Sequence, residues 1–290
     1  MALVGKAVAH GAVTIINAIS CGFGAALGVE LKTEAFVKLT SEPGHVEGRI
    51  LSHPEESTIL IEKTVNRVLK HFRLEDEYGA YVETKSDIPI ARGLKSSSAA
   101  ANAVTVAVIA ALGEKVDDLT VVNLGVDAAL DAGVTITGAF DDACASYFGD
   151  IVITDNYNRK ILKQVHPREN YPVLIHVPSE KVYTAKSDVK KMKLIGREVK
   201  ALHKLALQDE YWAAMTLNGL AYSTVLKYDT KAAIDALDAG ALASGLSGTG
   251  PAVAAVVPPE KVDYVKEAWQ KFQGEIIETK INSIKAHVVP

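Results

Sequence analysis

From Val29 to Leu39 the chain alternates with a period of two. Val29, Leu31, Thr33, Ala35, Val37 and Leu39 fall on one side, and Glu30, Lys32, Glu34 and Lys38 fall on the other. That pattern requires a half-buried strand. Met1 to His10 also reads as a strand, and Val46–Leu51 reads as a short neighbour. The period then changes to helical spacing, with Ile61, Val65, Val68 and Phe72 on one face. Gly79–Lys85 returns to strand character. A loop containing Pro89 and Gly93 leads into a small-residue helix from about Ser97 to Leu112. Asp118 and Thr120 open a further helix, and Ile151–Thr154 with Ile161–Val165 predicts a hairpin turning on Asp155–Arg159.

The texture changes after Pro167. Val173–Val177 predicts a short buried strand, followed by helical stretches near Val189–Ala206 and Glu210–Leu226 and a third from Thr230 to Gly240. Ala243–Leu246, a glycine turn and the strand Ala252–Val257 follow. Val262, Val265, Trp269 and Phe272 mark a last helix before Glu275–Glu278 and Ala286–Val289. Strands and helices mix without strict alternation, which predicts an α+β fold. A boundary near residue 165 gives two expected domains, 1–165 and 166–290, within the 290 residues.

Composition narrows the function classes. Lys and Arg total 31 against 35 Asp and Glu, a net charge of −4, which disfavours a nucleic-acid partner. Apolar residues make up 48%, enough to offset ordering entropy and argue against disorder. The two cysteines, Cys21 and Cys144, form neither a disulfide framework nor a zinc motif. No basic-then-apolar leader opens the sequence, and the small-apolar run Ala99–Leu112 is too short to span a membrane. The expectation is a soluble, cytoplasmic protein without a membrane partner.

Three segments could carry chemistry. The first is Pro89-Ile90-Ala91-Arg92-Gly93-Leu94-Lys95-Ser96-Ser97-Ser98-Ala99-Ala100, between a strand and a helix. Gly93 permits unusual backbone angles, and the serines fall at a helix entrance whose N–H groups and dipole favour an anion. The alternative is that a serine simply caps the helix. The spacing is neither that of a Walker loop nor GxGxxG, and no GxSxG supports a serine hydrolase. The second segment, Ser244–Pro251, with Gly245, Gly248 and Gly250, could be a tight hairpin or an anion nest. The third, Gly138–Gly149, holds the adjacent acids Asp141 and Asp142. If enclosed, at least one needs a cation or a proton; otherwise they start a solvated helix. Lys6, in the apolar first strand, is the basic candidate, against the reading of an edge charge.

In their order along the chain these segments resemble the GHMP small-molecule kinases. Pro89–Ala100 resembles the family's second signature and Leu246–Pro251 its third. Gly5-Lys6 and His10-Gly11 resemble the opening of its mevalonate kinases. Asp142, with Ser146 and Gly149 following, matches the segment of its active-site aspartate. Thr14–Ile19, Gly138–Ala143 and Asp235–Gly240 resemble the archaeal-type shikimate kinase branch. Lys95 departs from the family, which has a small residue there; it could touch a phosphate or project into solvent.

The resemblance implies a fold pairing a ribosomal protein S5 domain 2-like N-terminal domain with a ferredoxin-like C-terminal domain. It implies ATP-dependent phosphorylation of the shikimate 3-hydroxyl, on the pathway to chorismate and aromatic amino acids, with ATP and Mg²⁺. Main-chain N–H groups within Pro89–Ala99 would cradle the phosphates. Ser97 or Ser98 would reach Mg²⁺, joined by Asp131, eleven residues before Asp142. Asp142 would accept or orient the acceptor hydroxyl proton, with Lys6 beside it. Thr14 and Asn17 would line the acceptor pocket, and Ser247, Gly248, Thr249 and Gly250 would close it. Arg92 and Arg159 are candidates for the acceptor carboxylate, and the segment around Val46–Leu60 for adenine. Another GHMP kinase, such as a homoserine kinase, or a non-catalytic sensor on the same scaffold, are the alternatives.

Overall fold

The computed structural model describes residues 3–180, 182 and 188–290. Met1 and Ala2 of the expected first strand lie outside the described residues. Eleven strands, β1 to β11, and nine α-helices, α1 to α9, are described, together with short 3-10 turns. The first sheet pairs β1 (Val4–Ile16) antiparallel with β2 (Phe23–Thr40), in register Lys6 opposite Phe36 and Thr14 opposite Ala26. Strand β2 is long enough to serve two further partners. Its outer half pairs with β4 (Gly79–Ser86) and its inner half with β5 (Ile151–Asp155). β3 (Val46–Ile50) lies parallel to β4 rather than against β2, and β6 (Lys160–Val165) closes the β5 hairpin.

The alternation that opened the reading holds where one face of β2 meets water. It stops before Val29, where Gly24 to Val29 are continuously buried. Both faces are covered there. Ala26 joins the core under α2 (Ser96–Leu112), while Ala25, Leu27 and Val29 pack in a core with Val173, Ile175 and Val256 of the second sheet. Strands β7 (Pro172–Val177), β8 (Ala243–Leu246), β9 (Val253–Val256) and β10 (Glu275–Lys280) form that second sheet in the order β10-β7-β9-β8. The last strand, β11 (His287–Val288), returns to pair with β1.

Helices α1 (Ile59–Phe72), α3 (Asp118–Asp131) and α4 (Phe140–Phe148) pack around α2 against the first sheet. Near-total burial of α2, from Ala101 to Ile109, explains its lack of a polar face. No described helix is long and apolar enough to cross a membrane. The helix expected over Val189–Ala206 is two pieces, α5 (Val189–Lys193) and α6 (Gly196–Leu207). The break lets Met192 and Val199 both reach the core while Leu194 stays exposed. Helix α7 (Tyr211–Leu226) packs on β8, α8 (Lys231–Asp238) follows, and α9 (Val262–Trp269) ends before the expected Phe272, which still packs against Trp269's cluster.

Candidate active site

The loop before α2, the turn after β8 and the end of β1 are laced together by buried polar contacts. The Ser247 hydroxyl donates to the Gly93 carbonyl at 2.7 Å and accepts from the Thr14 N–H at 3.2 Å. The Gly248 N–H donates to Thr14 Oγ1 at 2.8 Å, and Asn17 Nδ2 donates to the Gly248 carbonyl at 2.8 Å. Gly93 has φ +83°, and a Cβ there would stand 2.0 Å from the Ser247 carbonyl oxygen. Any larger residue would therefore separate the two loops. Ala91 and Lys95 also take left-handed angles, so the segment carries strain where it bounds a cavity of about 510 Å³.

Two helix N-termini open onto that cavity. Helix α2 begins after Lys95 with no side-chain cap, so the serine-cap alternative is not realised. Ser96, Ser97 and Ser98 occupy the first turn and line the cavity, leaving first-turn N–H donors and the positive end of the dipole to face a ligand. Helix α4 likewise starts uncapped after Ala139, at φ +49°, with Asp141 and Asp142 in its first turn. Buried Asn102 on α2 donates to the Ala143 carbonyl at 2.9 Å and fixes the two helices to each other.

Lys95 answers the question its position raised. It neither projects into solvent nor stands alone: its Nζ lies 3.0 Å from Asp142 Oδ1, with the side chains 7% and 17% exposed. Among the described residues it is the one Lys, Arg or His lining the cavity. Asp141 is 4% exposed, and its Oδ1 accepts from Asn156 Nδ2 at 2.7 Å. Burial pushes its carboxyl up to about 7, the Asp142 carboxylate adds to the rise, and Lys95 and Asn156 oppose it.

The structure brings together Asp142, Thr14, Asn17, Gly248, Thr249, Ile90, Ala91, Gly93, Leu94, Lys95, Ser96, Ser97 and Ser98 around the cavity. Other expected site residues lie elsewhere. Lys6 is exposed, eight residues back along β1 from Thr14 and thus roughly 26 Å away, and its Nζ meets the Pro290 carbonyl. Asp131 does not line the cavity: it ends α3 in a bidentate pair with Arg67 of α1. Pro89 and Arg92 face away, Arg92 Nη2 donating to the Ser179 carbonyl at 2.6 Å, and Ala99 is core. Arg159 is held by Asp127 at 2.6 Å. Ser247 and Gly250 stand behind the wall, Ser247 with its hydroxyl spent on the lacing contacts. Ile50, Ile59 and Leu60 line the cavity from the segment proposed for adenine. The sequence reading missed the Gly133–Thr137 wall and the lining position of Asp141. Gly138 before paired acids was the available signal.

Residues 60–150 match the model of the GHMP kinases N terminal domain, and residues 194–275 that of the GHMP kinases C terminal region. A shikimate kinase from Methanosarcina mazei is 47% identical over 285 residues, covering 98% of this chain and 96% of its own. One from Halobacterium salinarum is 41% identical over 95% of this chain and 96% of its own. Among solved structures, a homoserine kinase from Cytophaga hutchinsonii superposes with a TM-score of 0.78 at 19% identity, covering 99% of this chain and 97% of its own. The chain belongs to the GHMP kinase family and has its fold.

Proposed function

We propose that the protein is a shikimate kinase, transferring the γ-phosphoryl group of ATP to the 3-hydroxyl of shikimate. The observation that carries the chemistry is the half-buried Lys95–Asp142 pair at the uncapped start of α2. Full-length identity of 47% to a shikimate kinase supports the acceptor.

Phosphoryl transfer asks a protein mainly for in-line positioning and charge neutralisation. First-turn N–H groups of α2 bind the phosphates without a competing cap. Asp142 orients the acceptor hydroxyl and takes its proton as the bond to phosphorus forms. Lys95, 3.0 Å from that carboxylate, sets a positive charge beside the transferring oxygens, the place assigned to Lys6 from sequence.

The donors present fit a magnesium ion carried by the triphosphate. Ser97 and Ser98 offer hard hydroxyl oxygens at the cavity, whereas the described residues contain no cluster of three or more His, Cys, Asp or Glu that would form a protein cage. Ser97 or Ser98 would hold it, and the ion would neutralise phosphate charge; Asp131 is committed to Arg67.

A panel of ADP-release assays with shikimate, homoserine and mevalonate tests the acceptor. Shikimate is expected to exceed the others by at least about a hundredfold in kcat/KM, as a site built for several hydroxyls rejects analogues that lack them. No release with shikimate contradicts the reading.

A further inference from the structure

Asn17 follows β1 and lines the cavity, and its main chain is gripped by a helix of the C-terminal half. Its N–H donates to Asn218 Oδ1 at 3.2 Å, and its carbonyl accepts from the Tyr222 hydroxyl at 2.9 Å. Asn218 and Tyr222 stand four residues apart and so share one face of α7, each 1% exposed. The Tyr222 hydroxyl also accepts from the Ser20 N–H at 3.2 Å. It thereby spans the 3-10 turn Ala18–Ser20, whose Ala18 and Ile19 line the cavity as well. Burial raises the pKa of the Tyr222 hydroxyl, so it keeps the proton that the Asn17 carbonyl accepts.

The helix that carries both side chains is closely seated. Gly219 lies between them, and a Cβ there would stand 2.4 Å from Gly245 Cα, so α7 rests directly on β8. Strand β8 leads into the Ser247–Gly250 turn, whose Gly248 carbonyl accepts from Asn17 Nδ2 at 2.8 Å. The contacts close a triangle: α7 to Asn17, Asn17 to the turn, and the turn through β8 back to α7. The Asn17–Ser20 segment then leads into the inner half of β2, where a Cβ at Gly24 would lie 2.3 Å from Asp141 of α4. Ile50 reaches the cavity from β3, which joins the sheet through β4 at the outer half of β2. Helix α7 therefore braces the end of the cavity beside α4, away from the segment proposed for adenine.

We infer that Tyr222 and Asn218 are positioning residues for the acceptor: by fixing the main chain of Asn17, they set the acceptor wall and act on acceptor binding rather than on ATP. This rests on the shikimate reading above. Without the Tyr222 hydroxyl, the Asn17 carbonyl and the Ser20 N–H lose their shared partner, so the turn shifts to recover hydrogen bonds. A shift of that wall misplaces the acceptor.

Tyr222→Phe keeps the ring and removes only the hydroxyl. Steady-state kinetics should show the KM for shikimate raised at least about tenfold, with the KM for ATP within about twofold of wild type. A shikimate change exceeding the ATP change by about threefold or more supports the inference, and a smaller excess overturns it, since general loosening moves both together. If thermal melting shows Tyr222→Phe unfolded, Asn218→Ala, which removes the acceptor of the Asn17 N–H, is read by the same criterion. A wild type inactive on shikimate but active on another acceptor refutes the substrate reading instead, and the same ratio measured with that acceptor then decides the inference.

Discussion

Two ion pairs in this fold are built from the same chemistry and placed in opposite settings. Lys95–Asp142 joins the start of α2 to the start of α4, with side chains 7% and 17% exposed. Arg67–Asp131 joins α1 to the end of α3, with side chains 37% and 35% exposed. The second has the better geometry, a bidentate guanidinium–carboxylate contact, and its Arg67 hydrogen bonds hold Asp131 below the usual carboxylate range. Water screens it all the same, and it staples two helices on the outside. The first is poorer in hydrogen bonds but faces a cavity with two helix dipoles aimed into it. Placement, more than pair geometry, sets the proposed chemical centre apart from a surface brace.

The largest effect that could break this contrast is on turnover. Asp142→Asn should lower kcat by about 10²–10⁴-fold, the range for losing a group that moves a proton. Asp131→Asn should leave kcat within about twofold, because Asp131 is outside the cavity; ADP-release kinetics on both variants checks this.

A moderate effect sharpens the contrast through pH. The Asp141 carboxyl is raised to about 7 in the folded protein against an ordinary value of 3.8. The folded state therefore binds the extra proton between those values. Its contribution to stability is full below about 4 and is lost as pH rises through about 7. Urea unfolding of wild type and Asp141→Asn from pH 4 to pH 8 should show wild type losing stability relative to the variant as pH rises. The smallest effect belongs to the outer pair: Asp131→Asn should cost ~1 kcal/mol or less in the same titration.

Most of the fold was legible because burial wrote itself into periodicity. The Val29–Leu39 alternation placed β2, and 3.6-residue spacing placed α1. The wall built by the loop before α2 was legible, whereas the Gly133–Thr137 wall was not, because Gly93 and Ser97 have few reasons to stand where they do except a close backbone approach and a helix start. Lys6 and Asp131 were misplaced because the resemblance, and not a local pattern, carried each of them to the site. Lys6 sits at the far end of its own strand from Thr14, and the loop from 132 to 139 separates Asp131 from Asp142 by a change of helix. The hold on Asp141 was illegible as well, since it depends on Asn156 of the β5–β6 turn and Gly24 of β2, both distant in the chain.

On the proposed mechanism Lys95, rather than Lys6, is the cation of the chemical centre. Steady-state phosphorylation of shikimate by Lys95→Met and Lys6→Met tests it most directly. Lys95→Met should lose about 10²–10³-fold in kcat, the scale of removing a group that stabilises transition-state charge, and Lys6→Met should keep a kcat within about twofold of wild type. The reverse pattern, with Lys6→Met impaired and Lys95→Met active, would contradict it.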